Sequence, residues 1–137
     1  MREGTNLMSK ANDGMAEPDP ESALRVLLVE DDGLIRMTTA RLLKEFGHLV
    51  HEARDAEEAL ALLEDWPIHL MITDVNLPGS SGLELARRAT RRRPTLRILF
   101  ATGARQSELR LPPGGLVLTK PYGATELRSA IKKAAWL

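Results

Sequence analysis

Four apolar runs in this chain end on residues that can do chemistry. "LRVLLVE" (24–30) leads into Glu30-Asp31-Asp32, "HLMITD" (69–74) stops on Asp74, "LRILFAT" (96–102) on Thr102 and "GLVLTK" (115–120) on Lys120. A Pro-Gly turn, within "VNLPGSSG" (75–82), follows Asp74 at once. An isolated strand end reaching water can carry an aspartate merely because that residue favours turns. Independent ends would carry a random polar mix, whereas these are acidic, acidic, hydroxylic and cationic. Carboxylates gathered at one edge repel each other, and a hard divalent cation relieves the repulsion. Mg²⁺ takes one or two carboxylates together with waters and a phosphoryl oxygen. A cation against Asp74 would steady a phosphoryl group in transit. Thr102 could donate to one phosphoryl oxygen and Lys120 could pair with another. Together these groups compose a phosphoacceptor site with Asp74 as carboxylate nucleophile.

Such convergence requires a particular scaffold. The runs at 24–30 and 69–74 are short and nearly continuous, as strands buried on both faces are. "HLVHEA" (48–53) alternates like a half-buried strand. Between strands lie helical patterns. Residues 33–46 put Ile35, Leu42 and Phe46 near one helical face, and Gly47 stops that helix. Asp55 and Glu58 form a capping box ahead of Ala56, Ala59, Leu60 and Leu63 at i, i+3, i+4, i+7. Ser81 and Glu84 form another, opening a helix that must end before Pro94. The last helix carries its apolar stripe on Leu127, Ala130, Ile131 and Ala134. Five strands alternating with helices imply βαβ units with right-handed crossovers and a parallel sheet covered on both faces. In such sheets ligands bind outside the carboxyl ends of the strands, where the strand order switches. The one irregular connection is "GARQSELRLPPGG" (103–115), with room for about two helical turns before Pro112-Pro113 forbids continuation.

Composition sets the outer limits. The 137 residues fit one domain, and 43% hydrophobic with 28% charged residues is a globular balance. Lys+Arg and Asp+Glu both number 19, so no charge excess marks nucleic acid or an anionic membrane as partner. Cysteine is absent, which excludes disulfides and thiol chemistry. No apolar run approaches a membrane span and no signal peptide opens the chain, so a cytoplasmic protein is expected. Residues 1–22 carry five acids and two bases without periodicity and read as a disordered tail, leaving 23–137 as the domain. Met8 and Met15 are alternative starts.

The stretches "VLLVEDD", "MITDVNLPGSSGLEL", "LFATG" and "LTKPY" resemble the receiver domain (CheY-like) of two-component response regulators, over about residues 24–137. The resemblance implies a flavodoxin-like, doubly wound five-stranded (βα)5 fold. It implies that Glu30 and Asp31 are an acidic pair, with Asp31 a direct metal ligand. Asp74 is then the Mg²⁺-dependent acceptor of phosphate from a histidine kinase or histidine phosphotransfer protein, and the backbone carbonyl of Asn76 completes the metal shell. Thr102 and Lys120 respond to the phosphoryl group, Gly103 leaves space for it, and the Lys120–Pro121 peptide is cis. The domain would be a signalling protein and not an enzyme beyond assisting its own phosphorylation and dephosphorylation.

Two departures stand out. Receivers usually carry an aromatic three residues before the lysine, where this chain has Val117, and the connection after the fourth strand is short, so the fourth helix should be stunted. "LFATG" with "LVLTKPY" is similar to the stand-alone FATGUY-type receivers, which also lack that aromatic, although Arg105 stands where their motif expects Tyr. Since the chain ends with its final helix, output is expected through protein–protein contact, by reordering of the 103–115 loop.

Other readings are weaker. A haloacid-dehalogenase-like phosphatase usually places a second Asp where Asn76 stands. A flavodoxin-like nucleotide binder would meet acidic loops after the first and third strands. A pseudo-receiver that only binds partners is the remaining alternative, though every site residue is present. The basic run "RRATRRRP" (87–94) reads as a solvated helix end favoured by the helix dipole. His48, His51 and His69 lack metal-ligand spacing and read as structural, and Trp66 and Trp136 as packing residues.

Overall fold

The structure, a computed structural model, describes residues 23–103, 111 and 115–135. The tail at 1–22, the stunted helix expected before Pro112-Pro113, the loop switch built on it, Arg105 and Trp136 lie outside the described residues. The elements run β1 (Arg25–Val29), α1 (Gly33–Glu45), β2 (Leu49–Ala53), α2 (Ala56–Asp65), β3 (Leu70–Asp74), α3 (Gly82–Arg92), β4 (Arg97–Thr102), β5 (Leu116–Thr119) and α4 (Ala124–Ala135). All five strands form one parallel sheet in the order β2-β1-β3-β4-β5. The order reverses at β1, so the carboxyl ends of β1 and β3 flank the switch point.

The helices begin and end for local reasons. Asp32 caps α1 through Oδ1, which accepts from the N–H groups of Leu34 (2.9 Å) and Ile35 (3.0 Å). At the other end Gly47 takes φ +97°, and the His48 N–H reaches back to the Leu43 carbonyl (3.1 Å), a turn that satisfies the last carbonyls. The Asp55 carboxylate accepts from the Glu58 N–H (2.9 Å), while Glu58 accepts from the Arg54 N–H (2.8 Å). Ser81 accepts from the Glu84 N–H (3.1 Å) and opens α3.

Alternation along the strands divides the core. Leu27, Val29, Met71 and Phe100 face α2 and α3, whose Ala59, Leu60, Leu63, Leu85 and Ala89 are buried against them. Val26, Leu28, Ile72 and Leu99 face α1 and α4, meeting Leu43, Leu127, Ile131 and Ala134. Each fully buried Leu or Ile contributes about 1.5–3 kcal/mol of transfer free energy. The face of α1 differs from the expected one. Its fully buried residues are Thr39, Ala40 and Leu43, while Leu42 and Phe46 only flank the core and Ile35 stays half-buried. Small side chains face the sheet there, so hydrophobicity alone points to the wrong stripe.

Candidate functional site

Register levels the strand ends. Val29 pairs with Thr73, which puts Glu30 beside Asp74; Asp74 pairs with Ala101, and Thr102 with Thr119, next to Lys120. Glu30 (3% exposed), Asp74 (8%) and Thr102 are buried, while Asp31 is exposed. One carboxylate oxygen from each of Glu30, Asp31 and Asp74 lies within 4.8 Å of the others.

The two buried carboxylates are held alike. Lys120 Nζ donates to Glu30 Oε1 and to Asp74 Oδ2, both at 2.7 Å. Each carboxylate turns its second oxygen to the backbone N–H two residues ahead: Glu30 Oε2 to Asp32 and Asp74 Oδ1 to Asn76, both at 3.0 Å. Two carboxylates this close would repel by about 3 kcal/mol at an effective dielectric near 20 without the shared ammonium. Burial, the largest influence on Lys120, lowers its pKa, but the hydrogen bonds and charges of Asp74 and Glu30 outweigh it and raise the ammonium above its ordinary value. Asp31 has no hydrogen bond or ion pair among the described residues. Two carboxylates therefore share one ammonium while a third, that of Asp31, lies beside them, and the excess negative charge is oxygen-based and partly exposed. That donor chemistry suits a hard divalent cation.

The remaining expected residues fall nearby. Asn76 is exposed and bridges Ser81 across the turn after β3. The Thr102 carbonyl accepts from the Lys120 N–H (3.0 Å). The Lys120–Pro121 peptide is cis, as the resemblance implied. A Cβ added to Gly103 would meet nothing within 4 Å among the described residues. Val117 pairs with Phe100 and packs partly buried against the α2/α3 side.

Several residues that shape the site are not marked in the sequence. Gly82, the first residue of α3, passes so close to β3 that a Cβ would lie 1.9 Å from the Asp74 carbonyl oxygen, and its N–H bonds the Val75 carbonyl (2.7 Å). The paired glycines of "PGSSG" hint at this, but sequence spacing cannot show which backbone the second one approaches. Gly79, by contrast, supplies the φ of +80° that the turn after Pro78 needs. Asp32 stands in the acidic triplet yet serves as helix cap. Arg36 donates to the Glu30 carbonyl (2.7 Å) and pairs with Glu52 (3.4 Å), bracing the end of β1.

The features read as structural have structural partners. His48 Nδ1 accepts from the Leu24 N–H (3.0 Å) and His69 Nδ1 from the Arg25 N–H (2.9 Å). Burial first, then the charge of Arg128 for His48 and of Arg25 for His69, pushes both imidazoles below their ordinary pKa. His51 stacks at 4.7 Å on Trp66, which also lies under the Arg25 guanidinium and is 41% exposed. Within the basic run, Arg87 pairs with Glu84 (2.6 Å), Arg92 with Glu64 (3.2 Å), and Arg93 donates to the Leu63 and Trp66 carbonyls.

Fold and site together define a doubly wound α/β protein whose binding edge is an acidic cluster at the strand switch point. The chain belongs to the response regulator receiver domain family, whose model matches residues 26–132. It is 35% identical over 113 residues to the response regulator receiver protein CpdR of Brucella abortus, covering 80% of this chain and 94% of that protein. Among solved structures it is similar to a CheY-like receiver domain protein from Methanospirillum hungatei (TM-score 0.76, 31% identity, 83% of this chain and 94% of that one). It is also similar to the receiver domain of the hybrid histidine kinase CckA (TM-score 0.71, 34% identity, 81% and 98%). Receivers are signalling domains of two-component systems and not enzymes in the ordinary sense. Among the described residues no helix is long and apolar enough to cross a membrane.

Proposed function

We propose that this receiver accepts a phosphoryl group on Asp74 in a Mg²⁺-dependent reaction, from a histidine kinase or a histidine phosphotransfer protein. The single observation that carries the reading is the trio of neighbouring carboxylates, of which Glu30 and Asp74 share Lys120 while Asp31 has no ion-pair partner among the described residues. Glu30, Asp31 and Asp74, with the Asn76 carbonyl, would hold the cation. When bound, Mg²⁺ would offset the negative charge between Asp74 and an incoming phosphoryl group. An Asp74 carboxylate oxygen forms the new P–O bond as the donor bond breaks. From phosphohistidine, the P–N bond breaks and the imidazole departs with the electron pair and takes up a proton. Lys120 would then exchange an Asp74 oxygen for a phosphoryl oxygen as partner, and Thr102, buried at the end of β4, would donate its hydroxyl to another. We read residues 1–22 as a tail outside the folded unit, and the stretch 99–103 with Val117 as the signature of the FATGUY type. Output is by contact with a protein partner in the cytoplasm.

Treatment with acetyl phosphate and Mg²⁺ tests the reading by intact-mass spectrometry. One added phosphoryl is expected, lost in Asp74→Ala and with EDTA. Uptake that persists in Asp74→Ala would contradict the assignment, and the pseudo-receiver alternative predicts none in the wild type.

A further inference from the structure

We propose that a hydrogen bond between Thr39 on α1 and Tyr122 after β5 is a clasp that positions Lys120, which makes both residues positioning residues for phosphoryl uptake at Asp74; the inference rests on the function proposed above.

The first observation is how Thr39 meets its hydroxyl requirement. A buried hydroxyl without a partner costs on the order of 1–3 kcal/mol. Threonines elsewhere in the helices bond within their own helix: exposed Thr38 and half-buried Thr90 donate to the Leu34 (2.8 Å) and Ala86 (2.9 Å) carbonyls. Thr39, 2% exposed, instead meets the Tyr122 phenol at 2.7 Å, 83 residues away in sequence. That hydroxyl therefore ties α1 to the segment after β5.

The second observation is where that contact acts. Tyr122 is two residues from Lys120, and both line a groove of about 460 Å³ against Ile35, Thr39 and Leu42 of α1. One helical turn before Thr39, on the same face, Arg36 holds the Glu30 carbonyl. Helix α1 thus grips both sides of the Lys120–Glu30 ion pair: the backbone of the acid through Arg36 and the loop of the base through Thr39. Lysine carries a flexible four-carbon stem, so the place of its ammonium depends on how firmly its backbone is held. In the reaction an Asp74 oxygen bonds to phosphorus as the bond to acetate breaks and acetate leaves as the anion. A displaced ammonium would meet the transferring oxygens poorly. Misplacement by 1 Å can cost about a hundredfold in rate.

The test uses the full chain, acetyl phosphate as donor and Mg²⁺, with uptake rates read by intact mass well below the melting midpoint. Y122F and T39V are each expected to slow uptake about three- to tenfold, and the double variant no further. T39S, which keeps the hydroxyl, should restore the rate. Mg²⁺ affinity should not change in any of them. In a Lys120→Ala background Y122F should have no additional effect, because a clasp acting through Lys120 has nothing left to position. Wild-type rates in both Y122F and T39V, or full slowing by Y122F in Lys120→Ala, would overturn the clasp. If Y122F proves poorly folded, the T39V and T39S pair decides alone. An absence of uptake in the wild type would sink the phosphoacceptor reading, and the clasp with it.

Discussion

The two ends of the parallel sheet treat their polar groups in opposite ways. At the amino end, His48 and His69 reach the first N–H groups of the central region, those of Leu24 and Arg25, and extend the ladders on both sides of β1 with imidazole acceptors. Every such contact is neutral and internal. At the carboxyl end, three carboxylates gather, Glu30 and Asp74 share one ammonium, and Asp31 is left without a partner among the described residues. The difference teaches where a ligand is expected. An end whose groups satisfy one another is finished by folding, whereas an end with excess like charge is finished by something that binds.

The largest effect should come from Gly82→Ala. A methyl group 1.9 Å from the Asp74 carbonyl oxygen forces α3 and the end of β3 apart. A loss of about 3 kcal/mol is expected, seen as a lower denaturant midpoint with unchanged slope. An unchanged midpoint would show that the two segments separate freely.

At the amino end, His69→Ala leaves the Arg25 N–H without its acceptor and should cost about 1 kcal/mol or more by the same assay. The pH dependence follows from the neutral imidazoles. His48 and His69 are held below the ordinary value near 6.5, so their contribution is complete above that value and is lost as pH falls through the depressed folded values. Melting midpoints should therefore decline from pH 7 towards pH 5, and the decline should be shallower in the double variant His48→Ala/His69→Ala. Equal slopes would mean that the decline belongs to other groups.

How far the sequence disclosed this contrast depends on distance along the chain. Strands were legible because each is an apolar run with an abrupt polar end, and α2 because its cap and its buried Ala56, Ala59, Leu60 and Leu63 are local. The acidic and cationic strand ends followed from the topology those runs imply. The face of α1 is not legible from apolar residues alone, because Thr39 and Ala40, buried there with Leu43, are small or polar. Pairings between remote segments left no local trace: Gly82 against the Asp74 carbonyl, Thr39 with Tyr122, and His69 with the Arg25 N–H.

The smallest effect should follow removal of residues 1–22, which lack an apolar face. A change below about 0.5 kcal/mol, or a few degrees in midpoint, is expected from calorimetry. A larger drop would extend the folded unit into the tail.

The central claim, that the carboxyl end holds charge in excess for a divalent cation to neutralise, is tested most directly by melting wild type and Asp31→Asn with and without Mg²⁺. Asp31→Asn removes one of three mutually repelling carboxylates and keeps the side-chain size. Without divalent cation the variant should melt above the wild type, by a few tenths to about 1 kcal/mol. At saturating Mg²⁺ the wild type should gain stability through binding, the variant should gain far less, and the order should reverse. A variant that melts below the wild type without Mg²⁺, or gains as much from it, would contradict the account.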